Sequence, residues 1–308
     1  MPDLPTRTLG RTGIEATVLG YGAWELRDAP SGRAISEEDA GRILNAVLDS
    51  GINFIDTSID YGRSEERIGR HIAHRRSEYL LAGKCGCLVG WEATPERPGP
   101  GPHDFSRENI VKGVEQSLRR LKTDYLDFLK VHRSPSRQEL EENGVVETMR
   151  DLQRQGKVRF IGMSSTIPHM ADHIAMGVFD VFQVPYSAIQ REHEGLVTQA
   201  AEAGAGIIIR GGTGRGTPSD DAGARQRNPD LASAWDRAKI DDLLDGMSSM
   251  EFMVRFTISH PGMATTIVGT LNPAHLNDNL NAINKGPLPP DLYTEAKRRL
   301  TAAGLAPV

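Results

Sequence analysis

Four side chains stand where short apolar runs end, and together they could move a proton. The run Asn53-Phe54-Ile55-Asp56 ends on Asp56, with Tyr61 five residues further on. Tyr79-Leu80-Leu81-Ala82-Gly83 ends at Lys84, and Tyr125-Leu126-Asp127-Phe128-Leu129-Lys130-Val131 ends at His132. A phenol is a weak acid at neutral pH, with a free pKa of about 10. A neighbouring ammonium favours the phenolate and brings that pKa down. A buried lysine keeps its charge only where a carboxylate such as Asp56 balances it. An imidazole can hydrogen-bond an oxygen on which negative charge develops. The set suits the addition of hydride to a carbonyl, whose oxygen gains charge and then needs a proton. Alone, Tyr61 reads as a structural turn residue and His132 as a core histidine. The functional reading rests on the four converging.

Convergence needs a fold that opens successive strand ends onto one mouth. Further short apolar runs supply it: Val18-Leu19-Gly20, Val158-Arg159-Phe160-Ile161-Gly162, Val181-Phe182-Gln183-Val184, Gly206-Ile207-Ile208-Ile209 and Thr266-Ile267-Val268-Gly269. Most lack alternation, as strands buried on both faces of a parallel sheet do. Helical patterns lie between them. Ile110, Val111, Val114, Leu118 and Leu121 share one helical face, as do Ile43, Leu44, Val47 and Leu48. Ser36, Ser64 and the pair Asn272-Pro273 read as helix starts, and Gly51 and Gly204 as helix ends. Strands alternating with helices imply βαβ units, and eight strands close a barrel without leaving an edge. The expectation is one (β/α)8 TIM barrel domain over residues 1–308. The runner-up is an open doubly wound sheet. It is weakened because no Gly-x-Gly-x-x-Gly follows an early strand. Long loops are expected after strand 3 (residues 88–105, with Pro95, Pro98, Pro100 and Pro102) and after strand 7 (residues 211–230). Both follow strand C-terminal ends, where they would wall a cleft.

The bulk composition narrows the partners. A formal charge of −5 argues against nucleic acid. No apolar stretch reaches the ~18–20 residues of a membrane helix, and the N-terminus lacks a signal-like apolar region. Cys85 and Cys87 are the only cysteines, too few for a disulfide framework, so a reducing, cytoplasmic setting is expected. Metal binding by this Cys-x-Cys pair needs two further ligands at suitable spacing; none is evident, and no metal site is expected. The two thiols read as small apolar fillers. His71 and His74 read as a solvated helix face. Trp24, after the first strand, and Trp91, in the third-strand loop, are candidate walls of a substrate pocket.

At this point the chain resembles the aldo-keto reductase family. Its signature is similar to Gly51-Ile52-Asn53-Phe54-Ile55-Asp56-Thr57-Ser58 with Asp60-Tyr61-Gly62, then Gly83-Lys84 and Val131-His132. The likeness continues through Gly162-Met163-Ser164-Ser165, Phe182-Gln183-Val184-Pro185-Tyr186-Ser187 and Ile267-Val268-Gly269-Thr270-Leu271-Asn272-Pro273, with Asn277-Asp278-Asn279. The resemblance implies a barrel that binds NADP(H), or sometimes NAD(H), in an extended pose. It implies a catalytic tetrad of Asp56, Tyr61, Lys84 and His132, in which Tyr61 protonates the carbonyl oxygen. Ser164, Ser165 and Gln183 would hold the nicotinamide carboxamide, although Ser165 stands where the family often has Asn. Arg210 takes the place of a commonly aromatic residue that stacks on the nicotinamide. Gly211, Gly212, Thr213 and Arg215 fall in the glycine run that would wrap the pyrophosphate. Gly269, Thr270, His275, Asp278 and Asn279 match the adenosine-phosphate pocket. The usual Lys or Arg for a 2′-phosphate is missing there, and only His275 and Arg215 offer charge. NADP(H) is favoured, with NAD(H) possible.

The expected partner is a small carbonyl or alcohol substrate. Two other readings stand beside the reductase: a cofactor-sensing subunit with little turnover that binds a larger protein, and an NAD(P)+-dependent polyol or sugar dehydrogenase. The sequence leaves the substrate, the direction of reaction and the oligomeric state open. The small-residued tail after Leu300 suggests an open, tolerant site.

Overall fold

In each barrel strand every second residue points inward, and the inward residues change character along the strand. The computed structural model describes residues 4–218 and 222–308. A short antiparallel hairpin, β1 (Thr6–Thr8) and β2 (Glu15–Thr17), comes first. Eight parallel strands follow: β3 (Leu19–Gly22), β4 (Phe54–Asp56), β5 (Leu80–Cys85), β6 (Leu126–Val131), β7 (Val158–Ser164), β8 (Val181–Pro185), β9 (Gly206–Arg210) and β10 (Thr265–Val268). They close into a barrel, with β10 pairing to both β9 and β3. The expected (β/α)8 barrel is therefore the observed one.

Two cores result from the alternation. Ile55, Leu81, Leu129, Val131, Ile161 and Ile207 belong to the large core that also takes in the surrounding helices. Phe54, Ala82, Phe128, Val181 and Ile208 form a separate core inside the barrel, joined by Leu80, Phe160 and Ile267. Phe128 lies between Phe54 and Phe160, with ring centroids 5.8 and 5.7 Å away. Each such ring contributes roughly 1.5–3 kcal/mol on burial. Leu9 and Ala16 of the hairpin complete this inner core at the N-terminal ends of the strands. Arg7 ties the hairpin down through the carbonyls of Ile258 and Met263, both at 2.9 Å. The lower end of the barrel is thus filled with apolar side chains.

Local signals set the helices. Ser36 caps the helix Glu37–Asp49 by accepting from the Asp39 amide, and Gly51 follows its end with φ of +86°. Asn272 caps Pro273–Asn284 in the same way. Ser64 behaves differently from its expected role as a cap. It lies inside the helix Ser64–His71, fully buried, and its hydroxyl donates to the Ala23 carbonyl at 2.9 Å. It also shares a hydrogen bond with Thr57 at 3.0 Å, so it pins the loops after β3 and β4 together.

The loop after β5 folds back on itself: Cys87 pairs with His103, Leu88 N donates to Pro102 O and Asp104 N to Gly86 O. The segment after β9 is not one long irregular loop. Beyond the turns at 211–218 come the helices Ala222–Arg227 and Pro229–Ala238, the second burying Trp235 completely. No described helix is long and apolar enough to cross a membrane.

Candidate active site

Above the apolar layer the inward positions turn polar, one strand after another: Asp56 on β4, Lys84 on β5, Lys130 on β6, Ser164 on β7, Gln183 on β8 and Arg210 on β9. Asp56 is the centre of the group. One of its oxygens accepts from Lys84 Nζ at 2.5 Å, and the other accepts from Lys130 Nζ. All three side chains are at most 4% exposed. Lys84 donates a further bond to the Thr57 carbonyl at 2.7 Å, and its ammonium lies 4.5 Å from the Tyr61 ring centroid. Gly162 is Lys130's neighbour in register; a Cβ there would lie 3.2 Å from the Lys130 stem, so the bare backbone makes room for it.

Lys130 was not among the expected site residues. Its signal was present: a lysine in the middle of a buried strand needs a buried counter-charge. Two ammonium groups now share one carboxylate, and they do so unequally. Burial pulls Lys84 down, but Asp56 and Tyr61 outweigh it and hold its pKa above the ordinary lysine range. Lys130 has Asp56 alone, and burial with the nearby Lys84 charge lowers it to about 8. Lys130 is therefore the group that gives up a proton first.

Tyr61 follows β4 on a turn that Gly62 makes possible. Gly62 has φ of +48°, and a Cβ there would lie 2.2 Å from the Arg27 carbonyl oxygen. The structure corrects the expected direction of the Tyr61 pKa. Burial raises it, and although Lys84 pulls it back, Asp56 and Asp60 add to the rise. Tyr61 is thus held as a protonated donor. Trp24 meets it edge-on at 4.7 Å, and His132 at 6.1 Å. Burial lowers the His132 pKa to about 3, so its ring is neutral. His132 Nδ1 faces Cys87 Sγ at 3.1 Å, and Asp60 and His103 stand on the same side.

The structure brings the four tetrad positions together, with Trp24 beside them. Trp91 goes elsewhere: it packs inside its own loop, with Arg97 over its ring at 4.6 Å and Gly101 against it. Ser165 is also separate, since its hydroxyl is committed to His173 Nδ1 at 2.7 Å. Gln183 and Ser164 are register neighbours. Among the glycines after β9, Gly211, Gly214 and Gly216 have positive φ, and the amides of Gly214 and Gly216 close turns onto Gly211 and Thr213. Gly212 is held against Thr257, whose hydroxyl donates to its carbonyl. The Arg215 side chain lies outside the described residues. At the end of β10, Gly269 passes Gly22 so closely that a Cβ would lie 2.6 Å from its carbonyl oxygen. The Thr270 hydroxyl accepts from the Asn272 amide. His275 is exposed in the first turn of the helix Pro273–Asn284, while exposed Asp278 and buried Asn279 lie at its middle.

A closed parallel barrel with a polar, tyrosine-bearing mouth defines a class of barrel oxidoreductase, and comparison with known proteins gives the family. Residues 18–298 match the model of the aldo/keto reductase family, and the chain belongs to that family. It is an NAD(P)-dependent oxidoreductase by that membership. The chain is 26% identical over 296 residues to the uncharacterized oxidoreductase YqkF of Bacillus subtilis, covering 90% of each. It is 27% identical over 322 residues to a probable voltage-gated potassium channel subunit beta of Arabidopsis thaliana, covering 92% of each. Among solved structures, the holo form of aldo-keto reductase AKR11C1 from Bacillus halodurans superposes with a TM-score of 0.84 at 24% identity, over 99% of this chain and 98% of that one.

One feature tests whether the residues fit the dinucleotide that the family implies. Gln183 is 1% exposed, and neither its amide nitrogen nor its amide oxygen has a hydrogen-bond partner. A buried amide left so is costly, by about 1–3 kcal/mol for each group. A carboxamide offers the matching acceptor and donor in one planar unit, so Gln183 and Ser164 fit a nicotinamide.

Proposed function

We propose that this protein reduces an aldehyde or ketone to an alcohol, with Tyr61 as the proton donor. A bound nicotinamide dinucleotide supplies the hydride. Gln183 and Ser164 would hold its carboxamide, the glycine segment 211–214 would face its phosphates, and the helix Pro273–Asn284, with His275 in its first turn and Asp278 and Asn279 further along, would take the adenosine end. Helix N-termini favour anions, which suits a phosphate there. The family resemblance favours NADP(H); with no Lys or Arg among Gly269, Thr270, His275, Asp278 and Asn279, NAD(H) remains compatible.

The Tyr61 hydroxyl gives its proton to the substrate oxygen as charge develops on it. Lys84 stabilises the phenolate left behind, and Asp56 keeps Lys84 charged. Neutral His132 donates a hydrogen bond to the same oxygen and orients the carbonyl. Trp24, 36% exposed beside Tyr61, gives the mouth an apolar wall. The observation that carries the reading is the buried Asp56–Lys84 pair set against the Tyr61 ring. Tyr61 is held in the protonated form that a proton donor needs in the reductive direction, and the same residues would run polyol or sugar dehydrogenation in reverse.

The likeness to a channel subunit raises the cofactor-sensing alternative. Of the exposed large apolar side chains among the described residues, Trp24, Leu88 and Ile167 follow the C-terminal ends of β3, β5 and β7 and Val308 is in the tail, so none gives the outer helices the apolar face that would favour it.

Tyr61→Phe tests the assignment. Turnover of a carbonyl panel is expected to fall by about 10²–10⁴-fold, with NADPH and NADH binding kept in fluorescence titrations. Undiminished turnover would remove Tyr61 from its role, and binding of neither dinucleotide would overturn the cofactor residues.

A further inference from the structure

We propose that Asp60, Cys87, His103 and His132 form a tetrahedral binding site for zinc(II) beside the catalytic tyrosine. Among the described residues this is the one place where three or more His, Cys, Asp or Glu side chains converge, and their four donor atoms all lie within 4.8 Å of one another. They come from three segments: Asp60 from the loop after β4, Cys87 and His103 from the loop after β5, and His132 from the end of β6. Around a zinc ion with bonds of about 2.0–2.3 Å, tetrahedral donors stand roughly 3.3–3.8 Å apart. Cys87 Sγ is 3.1 Å and Asp60 Oδ2 is 3.5 Å from His132 Nδ1, so small side-chain movements centre an ion among them.

Two of the donors lack a partner. Asp60 Oδ2 and His103 Nε2 are buried with no hydrogen bond. Leaving such atoms unmatched is unfavourable, and one cation satisfies both. The remaining bonds look like the support that a metal site needs. Ser58 donates to the other Asp60 oxygen at 2.5 Å, leaving Oδ2 to face the cluster. Cys87 and His103 are held opposite each other by the backbone bridge, with Leu88 N to Pro102 O at 3.0 Å and Asp104 N to Gly86 O at 2.8 Å. Asn109 Nδ2 clamps both sides of that loop, donating to Cys87 O at 3.1 Å and to Asp104 O at 2.7 Å.

The donor chemistry selects the ion. Two imidazoles, a thiolate and a carboxylate suit zinc, whereas calcium and magnesium require sets of oxygens. Binding exchanges the ion for the Cys87 thiol proton, which leaves to solvent while the Zn–S bond forms. The carboxylate and thiolate then neutralise the dication, so no net charge is buried. Four protein donors leave no open position, which makes the ion structural and not a Lewis acid for substrate. With Nδ1 on the metal, His132 carries its proton on Nε2, the tautomer that can donate to a carbonyl oxygen.

The test reads the metal directly, so it is independent of cofactor binding and turnover. The purified full-length protein, stripped with a chelator and dialysed, is titrated with Co2+ as a spectroscopic probe, then with Zn2+ against a chromophoric competitor. The expected result is one equivalent of Co2+ per chain, with intense tetrahedral visible bands and a thiolate-to-cobalt charge-transfer band that Zn2+ abolishes. Cys87→Ser should lose the charge-transfer band. His103→Ala should weaken Zn2+ binding at least tenfold. Circular dichroism identifies any variant that fails to fold, and the wild-type titration decides the matter without them. Absence of saturable Co2+ binding, a weak octahedral spectrum, or a Cys87→Ser spectrum identical to wild type would each overturn the proposal.

Discussion

Replacing Lys130 by Met tests whether the Asp56 group holds one charge too many. Met keeps most of the unbranched stem and removes the ammonium. In the folded chain burial brings Lys130 from 10.5 to about 8. At about 1.36 kcal/mol for each pH unit, that displacement corresponds to about 3 kcal/mol against the protonated lysine at neutral pH. Between pH 8 and 10.5 the unfolded chain keeps this proton while the folded chain sheds it. Wild-type stability therefore rises with pH across that window, relative to Lys130→Met, and the cost is gone above it. Urea unfolding of both proteins at pH 7 and near pH 10.5 measures the difference, in which the titrating groups away from Asp56 and Lys84 cancel. The gap should move by about 3 kcal/mol in favour of wild type. Asp56→Asn gives the converse: two ammonium groups lose their anion, costing about 3–5 kcal/mol, and adding Lys130→Met should recover a large part. Parallel pH curves for wild type and Lys130→Met, or strict additivity in the double variant, would refute the shared-carboxylate account.

Three further outcomes follow from the same structure. Glu65 is completely buried, and burial raises its pKa from 4.5 to about 7 despite Arg120 and Ser117 nearby. The folded chain then binds the extra proton between those values, so stability falls as pH rises through them. Glu65→Gln should stabilise by about 3 kcal/mol at pH 8 and by little at pH 4.5, read as a melting-temperature gain confined to the higher pH. Because the Tyr61 pKa is raised, the reductive kcat should stay flat through neutral pH, while alcohol oxidation, which needs the phenolate, should climb into the alkaline range; a reductive kcat that falls near pH 7 would contradict this. Gly62→Ala places a Cβ against the Arg27 carbonyl on a left-handed backbone next to Tyr61, and kcat should drop on the order of 100-fold as the hydroxyl is displaced, with dinucleotide affinity retained.

The barrel was legible because eight buried runs alternate with helical faces, and the convergence of the four site positions because Asp56, Lys84 and His132 end runs and Tyr61 follows Asp56 by five residues. What stayed hidden was the two-layer interior. Phe54-x-Asp56, Ala82-x-Lys84, Phe128-x-Lys130 and Val181-x-Gln183 each step from an apolar to a polar inward residue. The outward neighbours Ile55, Leu81, Gly83, Leu129 and Phe182 mask that step in a linear reading, so Lys130 passed unnoticed. The Asp60, Cys87, His103 and His132 group was invisible for a different reason. Its members are spread over three loops, and only the backbone pairing of Cys87 with His103 brings a residue 16 positions away to the same point. Ser64 and Ser165 show the limit of motif reading: both hydroxyls turn to partners, Ala23 and His173, that no local pattern announces.

The pairing of β3 with β10 sets a clock on the chain's birth. The first barrel strand ends at Gly22, and the partner that covers its free edge begins at Thr265. A ribosome delivers that partner roughly 240 residues later, some 10–50 s at about 5–20 residues per second. Until then the nascent sheet carries an open edge at Leu19–Gly22, and Arg7 has yet to meet the carbonyls of Ile258 and Met263. A chain halted before Thr265 can form seven strands but no ring, and would present two unpaired edges to its neighbours on the polysome.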